Sequence, residues 1–334
     1  MRNKLKKLCI FLVLFTTSFL INLYSQDLLG KELVKIRFAT DWRAQAEQGG
    51  FYHALALGLY KERGLDVKII QGNAGINIPR LLGSGEIEFG MGSNSFIPLN
   101  IIANNIPAKS VMASFQKDPQ ILMAHPSSPL RSLEDMKDKP IMISEASIGA
   151  FWVWLKSKYS FTDKQIRRKT FSLAPFLVNR NAIQQGYLTS EPYLVKKELG
   201  ESPNIFLLSD YGYPSYGAMI LARNDLIEER PEIVKAFVEA SIIGWKKYIY
   251  EDPEVGNNLI LNENSEMTEE ILLQAIGKIK KYNLISNRDD YSDVGLMTEE
   301  RWNEFYITMS NNGIYKKDLN WKDSYSLQFI SEGE

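Results

Sequence analysis

One cysteine, Cys9, and two distant histidines, His53 and His125, are present in 334 residues. Beyond Cys9 the chain has no thiol for a disulfide, a nucleophile or a cysteine-based zinc site. Two histidines so far apart argue against a histidine-rich metal site, and neither metal nor cofactor is expected. Neither sign of charge is in excess: 39 Lys and Arg stand against 40 Asp and Glu. A nucleic-acid partner is therefore not expected, because a phosphate backbone calls for a concentrated basic surface. Walker loop, dinucleotide fingerprint, hydrolase elbow and zincin helix are all missing, and Gly83-Ser84-Gly85 and Gly90-Met91-Gly92 lack a nucleotide loop's spacing. Nothing reads as catalytic.

Long apolar runs are also scarce, and the one present opens the chain. Arg2, Lys4, Lys6 and Lys7 precede Leu8 to Phe15; Thr16, Thr17 and Ser18 interrupt, Phe19 to Tyr24 resume, and Ser25-Gln26 follows. This order predicts a secretory signal peptide over residues 1–26, with export to the periplasm. The alternative is an uncleaved anchor, since the run falls only slightly short of the roughly 20 residues of a span. A lipoprotein is disfavoured, because Lys6 and Lys7 stand where the segment before Cys9 needs apolar residues. Cleavage removes the four basic residues and leaves 35 Lys and Arg against 40 Asp and Glu. An exported chain without disulfides must rely on its core; 45% hydrophobic and 24% charged residues suit one. At roughly 100–200 residues per domain, the length suggests two lobes.

From Leu33 onward, short β-type runs alternate with helical segments. Strands are expected at Val34 to Thr40, Asp66 to Ile70, Glu88 to Met91, Lys109 to Phe115 and Gln120 to Ala124. Gln48 to Arg63 carries Phe51, Leu55 and Leu59 at helical spacing, with Gly64 placed to cap it; Asn77 to Leu82 is a short helix. The turn-rich His125-Pro126-Ser127-Ser128-Pro129 marks a second unit. There Ser132 to Met136 and Ile148 to Tyr159 read as helices, Pro140 to Ser144 as a strand, and residues 161–210 repeat the alternation. Ala218 to Ala222 leads back, followed by helices over Pro231 to Tyr250, Thr268 to Tyr282 and Thr298 to Ser310. The pattern predicts an α/β fold with two lobes, a cleft and hinge, and a helical C-terminal part. Its expected boundaries are 33–125 plus 217–334 for the first lobe and 126–216 for the second.

Ligands of open α/β sheets sit beyond the carboxyl ends of the strands. Residues expected to bind there are Asp41, Trp42, Glu47, Tyr52, Ser93, Asn94, Gln116, Ser144, Glu145, Tyr187, Glu191, Tyr211 and Tyr216. They combine aromatic faces for stacking with amides, hydroxyls and carboxylates that read hydrogen-bond edges. Trp42 and Tyr216 stand out. Trp152 and Trp154, two apart on one helix, cannot both face a cleft. His53 and His125 read as structural. Ser93 to Ser95 suit either a helix cap or a ligand contact.

Asp41-Trp42, Gly49-Gly50-Phe51-Tyr52, LGLYKERGLDVKI (57–69), LLGSGEIEFGMGS (81–93) and SLEDMKDKPIMIS (132–144) resemble the periplasmic solute-binding proteins of ABC importers. The branch they resemble groups sulfonate and nitrate binders with thiamine-pyrimidine-related proteins, and the likeness runs from about Lys35 to Trp321. It implies a type II periplasmic-binding-protein fold with one lobe interrupting the other. It also implies a monomer that binds a small molecule and serves permease and ATPase subunits. A fungal synthase of the same superfamily makes the thiamine pyrimidine from its own histidine and bound pyridoxal phosphate. It carries a lysine and, four residues later, that histidine; Gly92 and Phe96 occupy those positions here. That departure, with the absent cysteine cluster, speaks against synthase chemistry.

Charge bears on the ligand. The cleft segments hold Asp41, Glu47, Asp118, Glu145, Glu191 and Asp210 against Arg43 and Lys117. A sulfonate or nitrate site calls for the reverse balance, or dense backbone donors. The expectation is a planar, amine-bearing heterocycle such as a thiamine pyrimidine precursor, with an anion of the sulfonate type as the alternative.

Overall fold

The computed structural model describes residues 32–73, 75–170 and 172–330; the expected signal peptide lies outside them. Two five-stranded sheets form among the described residues. The first has the order β2-β1-β3-β10-β4, built from Val34–Ala39 (β1), Leu65–Ile70 (β2), Phe89–Asn94 (β3), Ala108–Phe115 (β4) and Gly217–Arg223 (β10). The second, β7-β6-β8-β5-β9, is built from Gln120–Ala124 (β5), Ile141–Ile143 (β6), Ile166–Arg168 (β7), Ile183–Tyr187 (β8) and Asn204–Leu207 (β9). β1 runs parallel to β2 and β3, and β6 parallel to β7 and β8. β10 is antiparallel to β3 and β4, and β5 to β8 and β9. Each antiparallel strand is thus the first formed after the chain changes sheet. Two α/β lobes joined by two crossings make the periplasmic-binding-protein fold.

The outward crossing occupies residues 116–119, ahead of the boundary expected after 125. β5 completes its ladder against β8 and β9, so the turn at His125-Pro126 follows the first strand of the second lobe instead of preceding it.

Local chemistry explains the other differences. The helix expected from Gln48 to Arg63 is two, Gly49–Ala56 and Leu59–Glu62, because Gly58 adopts φ +74° between them. Gly64 does take the left-handed conformation expected of a cap, at φ +78°. Ser132 to Met136 is reduced to a 3₁₀ turn at Glu134–Met136, and the helix expected from Ile148 begins at Phe151, with a separate turn at Glu145–Ile148. Glu254–Glu263 adds a helix among those of the C-terminal part.

The buried side chains are not divided lobe by lobe. Phe38, Phe51, Phe237 and Trp245 of the first lobe share a cluster with Ile121 and Met123 of β5. Phe89 stacks on Phe237 with centroids 4.1 Å apart, and Phe51 meets Trp245 edge-on at 5.5 Å. Phe305 and Trp302, on the helix Glu299–Asn311, join Trp152 and Trp154 of the second lobe. Both tryptophans of that pair are buried, and the Trp152 indole donates to Asp163 Oδ1 at 3.0 Å, so neither faces the cleft.

At the return crossing, Ser95 Oγ accepts the Tyr216 N–H at 2.9 Å, and Ser215 Oγ accepts the Ser95 N–H at 3.2 Å. The loop after β3 is thereby bolted to the chain entering β10. Ser95 precedes the helix Phe96–Ala103 without capping it by its side chain; Asn94 Oδ1 accepts the Phe96 N–H instead, at 3.1 Å.

Candidate functional site

A cavity of about 400 Å³ lies between the lobes, bounded mainly by residues toward the carboxyl ends of β3 and β8 and by those that follow β1, β6, β7 and β8. These are strand exits, where an open α/β sheet presents its ligand site.

The first lobe supplies the loop after β1. Thr40 donates its hydroxyl to Trp42 O at 2.7 Å, and Gly72 N–H reaches both Thr40 Oγ1 at 3.1 Å and Trp42 O at 3.0 Å. A Cβ at Gly72 would stand 2.3 Å from Thr40 O, so only glycine permits this approach. The loop so fixed presents Asp41 and Trp42, both half-buried, to the cavity. Asp41 Oδ2 accepts from Ser93 Oγ at 2.6 Å. Desolvation still outweighs that bond and raises the Asp41 carboxyl above its ordinary range. Glu47 is 4% exposed and accepts the Thr189 hydroxyl from the other lobe. Burial raises its carboxyl too, and the neighbouring Glu191 and Asp41 charges add to the effect.

The second lobe supplies the opposite wall. Gln185 Oε1 accepts the Ser144 N–H at 2.8 Å and its amide donates to Ser147 Oγ at 2.7 Å, which fixes the exits of β6 and β8 together. Gln120 donates to Gly186 O at 2.6 Å. Glu191 has both oxygens engaged: Lys169 donates to Oε1 at 2.6 Å and the Tyr187 N–H to Oε2 at 2.8 Å. The two charged side chains are each 17% exposed. The Tyr187 phenol is pushed well above its usual range, by burial first and then by Asp118, Asp41, Glu47 and Glu191. It therefore stays a neutral donor. Trp42 and Tyr187 provide aromatic surface, Asp41 and Glu47 provide acceptors, and Lys169 is the one cation among the described residues of the lining. The arrangement offers stacking surface and hydrogen-bond acceptors between the lobes, and among the described residues of the lining there is no histidine or cysteine.

A family model described as NMT1/THI5 like matches residues 45–255, more than half of the chain. The chain belongs to the NMT1/THI5-like family. A formylaminopyrimidine-binding protein of Halalkalibacterium halodurans is 22% identical over 324 residues, covering 94% of this chain and 95% of that protein. A riboflavin-binding protein, RibY, of Chloroflexus aurantiacus is 24% identical over 220 residues, or 64% of this chain and 62% of that one. Among solved structures, a putative periplasmic sulfonate-binding protein, SsuA, of Methylobacillus flagellatus matches at TM-score 0.64 and 16% identity, over 90% of this chain and 93% of that one. This last likeness bears on the fold.

In this NMT1/THI5-like chain, seven of the expected site residues come together on the cavity: Asp41, Trp42, Glu47, Ser93, Ser144, Tyr187 and Glu191. The other six do not line it. Tyr52 is 3% exposed, packed in the first lobe's core. Tyr216 is buried beneath the return crossing; its hydroxyl accepts the Thr298 N–H at 2.9 Å, and the Arg301 guanidinium lies 4.0 Å from its ring centroid. Gln116 spends its amide on Leu296 O at 2.9 Å, near the outward crossing. Asn94 is committed to the Phe96 N–H, and Glu145 is exposed at the start of its helical turn. Tyr211 is half-buried, with its carbonyl taken by Lys158. His53 packs in the core with an unpartnered Nδ1, and burial lowers its pKa.

Lys169, Thr170, Gln120 and Met91 also line the cavity, and the sequence does not single them out. Lys169 follows β7 directly, but β7 reads Ile-Arg-Arg, with no apolar alternation to announce a strand exit.

Proposed function

We propose that this NMT1/THI5-like chain is the periplasmic substrate-binding subunit of an ABC importer. It closes its lobes on a small planar, amine-bearing heterocycle, such as a thiamine pyrimidine precursor, and delivers it to a membrane permease driven by ATPase subunits. The observation that carries this reading is the inter-lobe cavity, whose lining brings Asp41 and Glu47 together with Trp42 and Tyr187. Carboxylates withdrawn from water call for hydrogen-bond donors, and a ligand amine or ring N–H can add to the hydroxyls of Ser93 and Thr189. The aromatic pair offers faces on which a flat ring stacks. The H. halodurans relative, named for a formylaminopyrimidine, spans nearly the whole chain and supports the ligand class. The protein acts as a monomer and binds without chemical change; both relatives are named as binding proteins.

Mass spectrometry of small molecules co-purified from the native cell, followed by calorimetric titration, tests the reading. Saturable binding of an aminopyrimidine, with taurine ignored, is the expected outcome. The reverse result selects a second reading, an organic anion of the sulfonate type, which Lys169 on the cavity wall favours. Mixing with pyridoxal phosphate should give no Schiff-base absorbance; its appearance would point to an enzyme on this fold.

A further inference from the structure

Beside the inter-lobe cavity lies a second one of about 580 Å³. One wall is the helix Glu191–Leu199 of the second lobe, through Tyr193 and Leu194. The other comes from the first lobe's C-terminal part, through Met267, Ile271, Leu272 and Ala275. Gln274 donates to Thr189 O at 2.6 Å from one lobe to the other, so the cavity is formed by their present arrangement. Its character differs from that of the first cavity. The apolar wall is broad, and Arg43 and Glu266 pair with each other, so their charges are mutually satisfied.

The two cavities adjoin. Trp42, Gln45, Glu47 and Ser190 face both. Thr189 lines the second and donates to Glu47, so this hydrogen bond lies along their common boundary. Carboxylates and amides cluster on one side of that boundary and aliphatic side chains on the other. A ligand spanning both would pass from a polar, hydrogen-bonding end to an apolar end. Small-molecule sites run from about 300 to 1,000 Å³; the first cavity alone sits near the bottom of that range, and both together approach its top.

We propose that the second cavity is a subsite for an uncharged, largely apolar substituent carried by the heterocycle in the first. The inference rests on the heterocycle reading above and makes the preferred ligand larger than a bare ring.

The test compares 4-amino-2-methylpyrimidine with its 5-benzyl derivative by calorimetric titration. Wild-type protein should bind the benzyl compound at least tenfold more tightly. Leu194→Trp and, independently, Met267→Trp fill the second cavity from opposite lobes at half-buried positions that tolerate bulk. Each should abolish the preference while keeping the parent compound within about twofold of wild type, with thermal melting confirming the fold. Equal affinity of wild type for the two compounds overturns the subsite and leaves the heterocycle reading intact. So does a preference that survives both variants. Failure of wild type to bind either compound overturns the heterocycle reading and the subsite with it.

Discussion

On the proposed reading of the cavity, Lys169 and Glu191 set which sign of ligand it prefers, and two single substitutions should move that preference in opposite directions. In the native protein, Glu191 gives one oxygen to Lys169 at 2.6 Å and the other to the Tyr187 N–H at 2.8 Å. Its charge is thus committed before any ligand arrives, and Asp41 and Glu47 remain the acceptors for an amine. Lys169→Met keeps the length of the stem and removes the ammonium. Glu191 Oε1 then becomes a free acceptor on the cavity wall. A hydrogen bond to a charged group contributes about 1.5–3 kcal/mol, so an aminopyrimidine should bind roughly ten- to a hundredfold more tightly, at about 1.4 kcal/mol per tenfold. Glu191→Gln leaves the ammonium without its counter-charge; sulfonate binding should appear or strengthen by a similar factor, and aminopyrimidine binding should weaken.

Each single change leaves one charge unpaired in a site where both partners are 17% exposed, so stability should fall by less than the roughly 3–5 kcal/mol of a fully buried pair. The double variant Lys169→Met/Glu191→Gln removes both charges and should return stability and ligand preference toward wild type. Calorimetric titration of all four proteins with an aminopyrimidine and with taurine, beside urea denaturation, completes the cycle. If both single variants shift the two ligands in the same direction, the pair is a structural clamp and the electrostatic reasoning fails.

Trp42→Ala should weaken heterocycle binding by about 1–3 kcal/mol, the range for base–aromatic stacking, and ligand should alter tryptophan fluorescence in wild type; unchanged affinity in a folded variant would return Trp42 to a packing role. Tyr216→Phe removes the acceptor of the Thr298 N–H and should cost about 1 kcal/mol in denaturant titration; an equally large loss of ligand affinity would restore Tyr216 to the site. Asp118, at the outward crossing, is pushed up to about 7 by burial, against the hydrogen bond from the Gln120 N–H at 3.0 Å and the Arg301 charge. With the native pKa above the unfolded value of about 3.9, its favourable contribution is complete below about pH 4 and is lost as pH rises through 7. Asp118→Asn, which cannot ionise, should gain up to about 4 kcal/mol over wild type at pH 8, from about three units at 1.36 kcal/mol each. Identical pH slopes in the two proteins would refute this assignment.

The strand exits legible in the sequence were those whose strands bury a run of apolar side chains. Val34–Ala39, Ile141–Ile143 and the turn-rich segments after them announce themselves because both sheets need those residues inside. β7 is an edge strand of three residues, two of them exposed arginines, and packing leaves no hydrophobic signature there. Lys169 was hidden for that reason, and with it the counter-charge that changes the meaning of Glu191. The misplaced aromatics have a different cause. Tyr187 and Tyr216 occur in similar company, among glycines, hydroxyls and prolines, and composition describes both segments equally well. Tyr187 ends a strand whose carboxyl end opens into the cleft; Tyr216 enters a strand at the return crossing, where Ser95 holds its backbone and Thr298 takes its hydroxyl. Which way a loop residue turns is set by partners more than eighty positions away. A two-lobed fold has two places where polar and aromatic loops gather, the cleft and the crossings. Ligand contact requires the first; rigidity of the hinge draws the same residue types to the second.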